Sequence, residues 1–225
     1  MQSVSKEMLQ FLEKLKVNNN REWFDEHKPE FKSLEADIKL FYNEVSALLQ
    51  KHDRIEKTKA FRIYRDVRFS KNKTPYKQHV AASFTRKKPA LRGGYYLHLQ
   101  PDNKSLIAVG FWAPNKEDLK RIRKELEIDA SDFRAILQDK NLRKYWNELQ
   151  GETLKTAPRG FDKTHKNIDL INHKQFTFSK NFTDKEVLQP NFAEVIDEHY
   201  KAIRPFFDYM SEILTTDLNG RSLID

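Results

Sequence analysis

Tyr95–Trp112 reads YYLHLQPDNKSLIAVGFW. In its first half Tyr95, Leu97 and Leu99 fall on one face, and Tyr96 and His98 on the other, the period of two that a pleated strand imposes. A second strand is expected from Ser105 to Trp112. Between the two, Pro101-Asp102-Asn103-Lys104 supplies residues suited to turn dihedrals, so the segment reads as an antiparallel hairpin. Upstream, Val80, Ala82 and Phe84 alternate in the same way. Further upstream, Phe61, Ile63, Val67 and Phe69 set one face against Arg62, Tyr64, Asp66 and Arg68, which predicts another strand, interrupted near Arg65. One more strand is expected near Lys174 to Ser179.

Helical spacing flanks these strands. Met8, Leu9, Phe11, Leu12 and Leu15 form one stripe, with Ser3 or Ser5 placed to cap it. Asn20 is expected to cap a short helix from Arg21 to about His27, and Pro29 to start a longer one reaching about Lys51. Asn115 precedes a helical pattern at Leu119, Ile122 and Leu126, which continues in pieces to Gly151. Thr183-Asp184-Lys185-Glu186 has the form of a capping box. A final helix is expected over about Phe192 to Leu218, kinked by Pro205. The fold class that follows is α+β, one domain over residues 1–225, with a mainly antiparallel sheet flanked by helices.

Only 6 glycines and 8 prolines occur in 225 residues, and no stretch of them marks a linker. The 16 Phe, 8 Tyr and 3 Trp give a chain that is 38% hydrophobic enough bulk for a core. Without cysteine there is no disulfide, thiolate zinc site or cysteine nucleophile. Charges at Lys6, Glu7, Glu13, Lys14 and Lys16 interrupt any leader-like apolar run, and the apolar stretch Leu106 to Pro114 is far short of a membrane span. The expectation is a cytoplasmic protein with no membrane partner.

Charge is unevenly spread. Residues 54–92 hold thirteen Lys or Arg against Glu56 and Asp66, a local surplus of eleven in a chain of net charge +8, so the remainder carries −3. A surplus so confined predicts a partner of opposite sign. Arg62, Arg65 and Arg68 offer planar forks for a phosphate or carboxylate, with Lys73 and Lys77 as point charges, Asp66 to orient an arginine, and Tyr76 as a neutral donor. Tyr96 and His98 share a strand face from which His98 is a candidate proton donor or acceptor near neutral pH. Arg159, beside Gly160 in a polar loop, is a further candidate for ligand binding. His165, Asp169 and His173 are spaced by four, but the strand expected at Phe176 breaks the helix that would align them, and no metal site is assigned. No Walker A, Rossmann glycine pattern, serine elbow or HExxH occurs, and nothing specifies a cofactor.

The blocks Asn19-Asn20-Arg21-Glu22-Trp23-Phe24, FRIYRDVRFSKNKTPYK (from Phe61), Gly94-Tyr95-Tyr96-Leu97-His98-Leu99 and Pro158-Arg159-Gly160-Phe161-Asp162 resemble the conserved hypothetical proteins grouped as domain-of-unknown-function family 2461. The resemblance runs from about Met8 to Leu214 and implies one full-length domain; it carries no activity, cofactor or catalytic residue. The chain departs from the family at Ala108-Val109-Gly110, where relatives are often richer in glycine.

The favoured expectation is therefore binding, with or without turnover, of a small phosphate-bearing or other anionic ligand. The alternative is nucleic-acid binding by the segment 54–92, whose Phe61, Tyr64, Phe69 and Tyr76 are interleaved with cations. A third reading is a structural or partner-binding protein that uses Arg21, Trp23 and Phe24.

Overall fold

In the computed structural model, which describes residues 3–224, Ser5 caps helix α1 (Lys6–Val17) by accepting from the Met8 amide at 3.2 Å. The stripe from Met8 to Leu15 is buried as its spacing predicts. Asn20 caps α2 (Arg21–Leu49), taking the Trp23 amide at 2.9 Å. Here the expected pair of helices is corrected to one, because Pro29 lies inside α2. An interior proline costs about 3 kcal/mol. Phe24 and Phe31 are both buried on either side of it, with ring centroids 5.4 Å apart, and burying rings of that size returns about 1.5–3 kcal/mol each.

The strands are β1 (Ile55–Ala60), β2 (Val80–Arg86), β3 (Gly94–Leu99), β4 (Ser105–Phe111) and β5 (Phe176–Phe182). They form one antiparallel sheet in the order β1-β2-β3-β4-β5, and the fold is α+β. The strand expected over Phe61–Phe69 does not form. Phe69, assigned to its apolar face, is 96% exposed, and the pairing strand is instead the polar β1, IEKTKA. In the β3–β4 turn Asp102 and Asn103 take positive φ of 66° and 58°, conformations that Asp and Asn tolerate best among residues with a Cβ. The Asp184 carboxylate accepts from both of their amides at 3.1 Å, and Asn103 Oδ1 accepts from the Asp184 amide at 2.9 Å.

Helices α3 (Lys116–Ile128), α4 (Ser131–Gln138), α5 (Lys140–Tyr145) and α6 (Ile168–Ile171) separate β4 from β5. The helical pattern stops at Tyr145, short of Gly151, where extended backbone at Trp146 lets its indole donate to the His199 carbonyl at 2.8 Å. After β5 come α7 (Asp184–Val187), α8 (Phe192–Ala202) and α9 (Arg204–Thr215). Thr183 and Glu186 form the predicted capping box. The long final helix is broken in two, with Pro205 in the first turn of α9.

The described residues divide into two compact units, the division falling within β2 to β5. One holds the residues up to Phe84, with Tyr96–Ile107 and Asn181–Asp197; its core includes Phe11, Phe24, Phe41, Phe182 and Phe192. The other holds Thr85–Tyr95, Ala108–Lys180 and the residues from Glu198, around Phe133, Phe178, Phe206 and Phe207. In this second unit Gly110 has φ 129°, and a Cβ placed there would stand 2.1 Å from the Phe176 carbonyl oxygen. Only a residue with no side chain allows that approach. Among the described residues no helix is long and apolar enough to cross a membrane.

Candidate functional site

Residues 61–79 leave β1 and return to β2 as an irregular arm of two strands of chain held by few backbone bonds. The Arg65 amide donates to the Pro75 carbonyl at 2.8 Å, the Lys77 amide to the Ile63 carbonyl at 2.7 Å, and Tyr64 bridges Tyr76. Side chains complete the fastening. Tyr76 is buried and stacks on Phe24 with centroids 4.0 Å apart. Asn19 pairs with the Tyr76 backbone in both senses, its Nδ2 donating to the carbonyl and its Oδ1 accepting from the amide, each at 3.1 Å.

Within the arm the expected cations differ in what they meet. Arg65 donates through Nη1 to the Thr74 carbonyl at 3.0 Å and to the Thr74 hydroxyl, and through Nη2 to the Ser70 hydroxyl at 3.4 Å. Lys77 donates to the Arg62 carbonyl at 2.6 Å and lies 5.6 Å from the centre of the Phe61 ring. Lys73 donates to the Val67 carbonyl at 3.0 Å. These partners are neutral, so they orient the cations without cancelling their charge. Arg68 differs: Asp66 takes its Nε at 3.0 Å and its Nη2 at 2.6 Å, an exposed bidentate pair that holds the Asp66 carboxyl below its ordinary range. The Arg62 side chain is exposed and has no partner among the described residues.

Arg65, Tyr76 and Lys77 come together with Asn72, Thr74, Gln78, His79 and Gln100 around a hollow of about 230 Å³ whose lining contains no carboxylate. Burial, followed by the like charges of Arg62 and Lys59, lowers the Lys77 pKa. His79, itself in the lining, stacks on the His98 ring with centroids 4.0 Å apart. Burial, then His98, then Lys77 push the His79 pKa down to about 3, and burial lowers that of His98. Both His98 nitrogens are engaged, Nδ1 with the Tyr96 hydroxyl at 3.2 Å and Nε2 with Gln100 Oε1 at 2.9 Å. A neutral imidazole satisfies both by accepting from Tyr96 and donating to Gln100.

The family model described as conserved hypothetical protein (DUF2461) matches residues 7–209. The chain belongs to this family. No curated protein and no solved structure matches it.

The sequence of this DUF2461 chain suggests cations that its fold puts elsewhere. Arg86, counted with the basic segment, is fully buried in the second unit, where it donates to the Arg92 carbonyl at 2.8 Å and Ser211 at 3.0 Å, beside Asp208 at 3.5 Å. Arg92 is paired with Asp118. Arg159 also belongs to the second unit, on a loop between two hollows, and lines neither side of the Arg65–Lys77 hollow. His165, Asp169 and His173 do not share a helix, since α6 spans only Ile168–Ile171; Asp169 is bound by Arg134, and His173 Nδ1 meets the Gln175 carbonyl. Among the described residues no three His, Asp or Glu are grouped to hold a metal ion. Contributors that were not foreseen include Asn19, Asn72, Gln78, His79 and Gln100. Asn19 carries no sequence signal of its role, whereas His79, a polar residue directly before the apolar start of β2, is a signal that strand pairing with His98 would have revealed.

Proposed function

We propose that this protein binds a small phosphate-bearing anion in the hollow lined by Arg65, Lys77 and His79. One observation carries the reading: Arg65 and Lys77 are fixed by neutral oxygens alone, around a lining free of carboxylates. Such cations keep their charge for a ligand, and charge-assisted bonds to phosphate oxygens are the strong ones. Thr74 and Asn72 add neutral polar groups, and the low His79 pKa keeps that ring uncharged at neutral pH. Arg68 is bound by Asp66 and takes a minor part, as do Arg62 and Lys73, which are exposed and do not line the hollow. Proton transfer by His98 would require release of its bond to Tyr96 or Gln100.

Calorimetric titration with inorganic phosphate and glycerol 3-phosphate tests this. Arg65→Ala and Lys77→Gln are each expected to weaken binding about tenfold, the scale of one charge-assisted bond, while Arg68→Ala leaves it nearly unchanged. Binding that is the same in all three variants would overturn the reading.

A second reading, single-stranded nucleic acid, is favoured by the exposure of Phe69 (96%) and Tyr64 (47%) near Arg62, Arg68, Lys71 and Lys73. Unpaired bases stack on such rings, and phosphate contacts make affinity fall steeply with salt. Titrating a short oligothymidine at two ionic strengths separates the readings: Phe69→Ala weakens oligonucleotide binding and leaves phosphate binding intact.

A further inference from the structure

The second unit holds another group of cations, in a part of the chain where net charge predicts none. On α3, Lys116, Lys120 and Lys124 recur every four residues, with Leu119 and Arg123 beside them, so all five share one side of the helix. Facing them is Pro158-Arg159-Gly160-Phe161, a tight turn closed by the Phe161 amide on the Pro158 carbonyl at 3.1 Å. Gly160 takes φ 86° at its third position, the conformation a type II turn requires. Helix and turn enclose a hollow of about 540 Å³, lined by these nine residues. That volume lies within the roughly 300–1,000 Å³ usual for small-molecule sites.

The lining contains five cations and no carboxylate. Of the acids of α3, Asp118 binds Arg92 and Glu125 binds Arg121, away from the hollow, while Glu127 pairs with one lining cation, Lys124. Asp162, next after the turn, accepts from the amide and hydroxyl of Thr164, both at 2.8 Å. Arg123 is fixed by the Ile171 and His173 carbonyls at 2.9 and 3.1 Å and keeps its charge. Lys116, Lys120 and Arg159 have no hydrogen-bond or ion-pair partner among the described residues. Apolar surface comes from Leu119, Pro158 and Phe161, with the Lys124 ammonium 4.8 Å from the Phe161 ring centre.

We infer that this hollow is a second anion site, which takes a nucleoside diphosphate: the phosphates meet Lys116, Lys120 and Arg159, and the base lies against Leu119, Pro158 and Phe161. Three uncommitted cations suit a group with more than one negative charge. The apolar floor distinguishes an ester with a flat ring from a bare polyphosphate, which would leave that floor in water. This site shares no residue with the Arg65–Lys77 hollow.

Titration of the full chain with ADP, inorganic pyrophosphate and adenosine tests the inference. ADP is expected to bind more tightly than either of the other two. Measured in a Lys77→Gln background, which weakens the Arg65–Lys77 hollow, Lys120→Glu and Arg159→Glu should each weaken ADP about tenfold or more, and Phe161→Ala should weaken ADP but not pyrophosphate. Lys120→Gln serves if charge reversal disturbs α3, with folding checked by circular dichroism. ADP binding unchanged by the α3 and Arg159 substitutions, no ADP binding, or pyrophosphate binding as tightly as ADP each overturns the inference.

Discussion

Tyr76 lies nearly flat on Phe24, with ring centroids 4.0 Å apart and planes 22° apart. Phe24 is buried in α2, so this contact fixes the returning side of the 61–79 arm to a helix. Tyr76→Ala removes a ring that is 3% exposed, at an expected cost of about 3–5 kcal/mol. Tyr76→Phe keeps the ring and should cost less than about 1 kcal/mol. Urea denaturation of the two variants measures the difference, and equal losses would contradict the stacking role.

His79 predicts how stability responds to acid. Its pKa falls from 6.5 in the unfolded chain to about 3 in the fold, through burial first, then His98 and Lys77. Below pH 6.5 the unfolded chain therefore takes up a proton that the folded one refuses, and stability is lost as pH falls through that window towards about 3. His79→Phe keeps a ring beside His98 without the titration. Its urea midpoint should fall less than that of the wild type as pH drops from neutral; parallel curves would remove His79 as the cause.

Arg86 is the most deeply buried cation described, at 0% exposure, with its guanidinium 4.6 Å from the Phe207 ring centre. Arg86→Ala leaves a cavity and strips donors from the Arg92 carbonyl and Ser211. The expected destabilisation is about 3 kcal/mol or more. Phosphate affinity at the Arg65–Lys77 hollow should be unaffected in the folded fraction, which calorimetry on the purified variant checks.

Gly110 admits no side chain, for two reasons. Its φ of 129° strains any residue with a Cβ, and that Cβ would stand 2.1 Å from the Phe176 carbonyl oxygen. Adding about 1–3 kcal/mol for each effect, Gly110→Ala should lose between about 2 and 6 kcal/mol. A thermal midpoint within a degree or two of the wild type would show that β4 and β5 can separate without cost.

Much of this architecture was legible because the relevant signals are local. The stripe of α1, the alternation of β2 and β3, the Asp102-Asn103 turn and the Thr183 box each involve residues a few positions apart. The misreadings occur where distant packing decides. IEKTKA becomes β1 through its neighbour in the sheet, not through its own apolar content. Phe61 to Phe69 mimics a strand, yet Arg65 is drawn to Thr74 and Phe69 is left in solvent. Pro29 looks like a helix start until Phe24 and Phe31 are seen to share a core. The candidate site was partly legible for the same reason. Arg65, Tyr76 and Lys77 are near in sequence and meet, whereas Arg159 has a different setting and Asn19 is known only from the fold.

The pair of hydrogen bonds between the Asn19 side chain and the Tyr76 backbone ties the arm to the corner where α1 gives way to α2. An amide clamped at both ends transmits displacement as a rod would. Arm and helical corner are thus joined through space as well as along the chain, so neither can shift without breaking these bonds or taking the other with it.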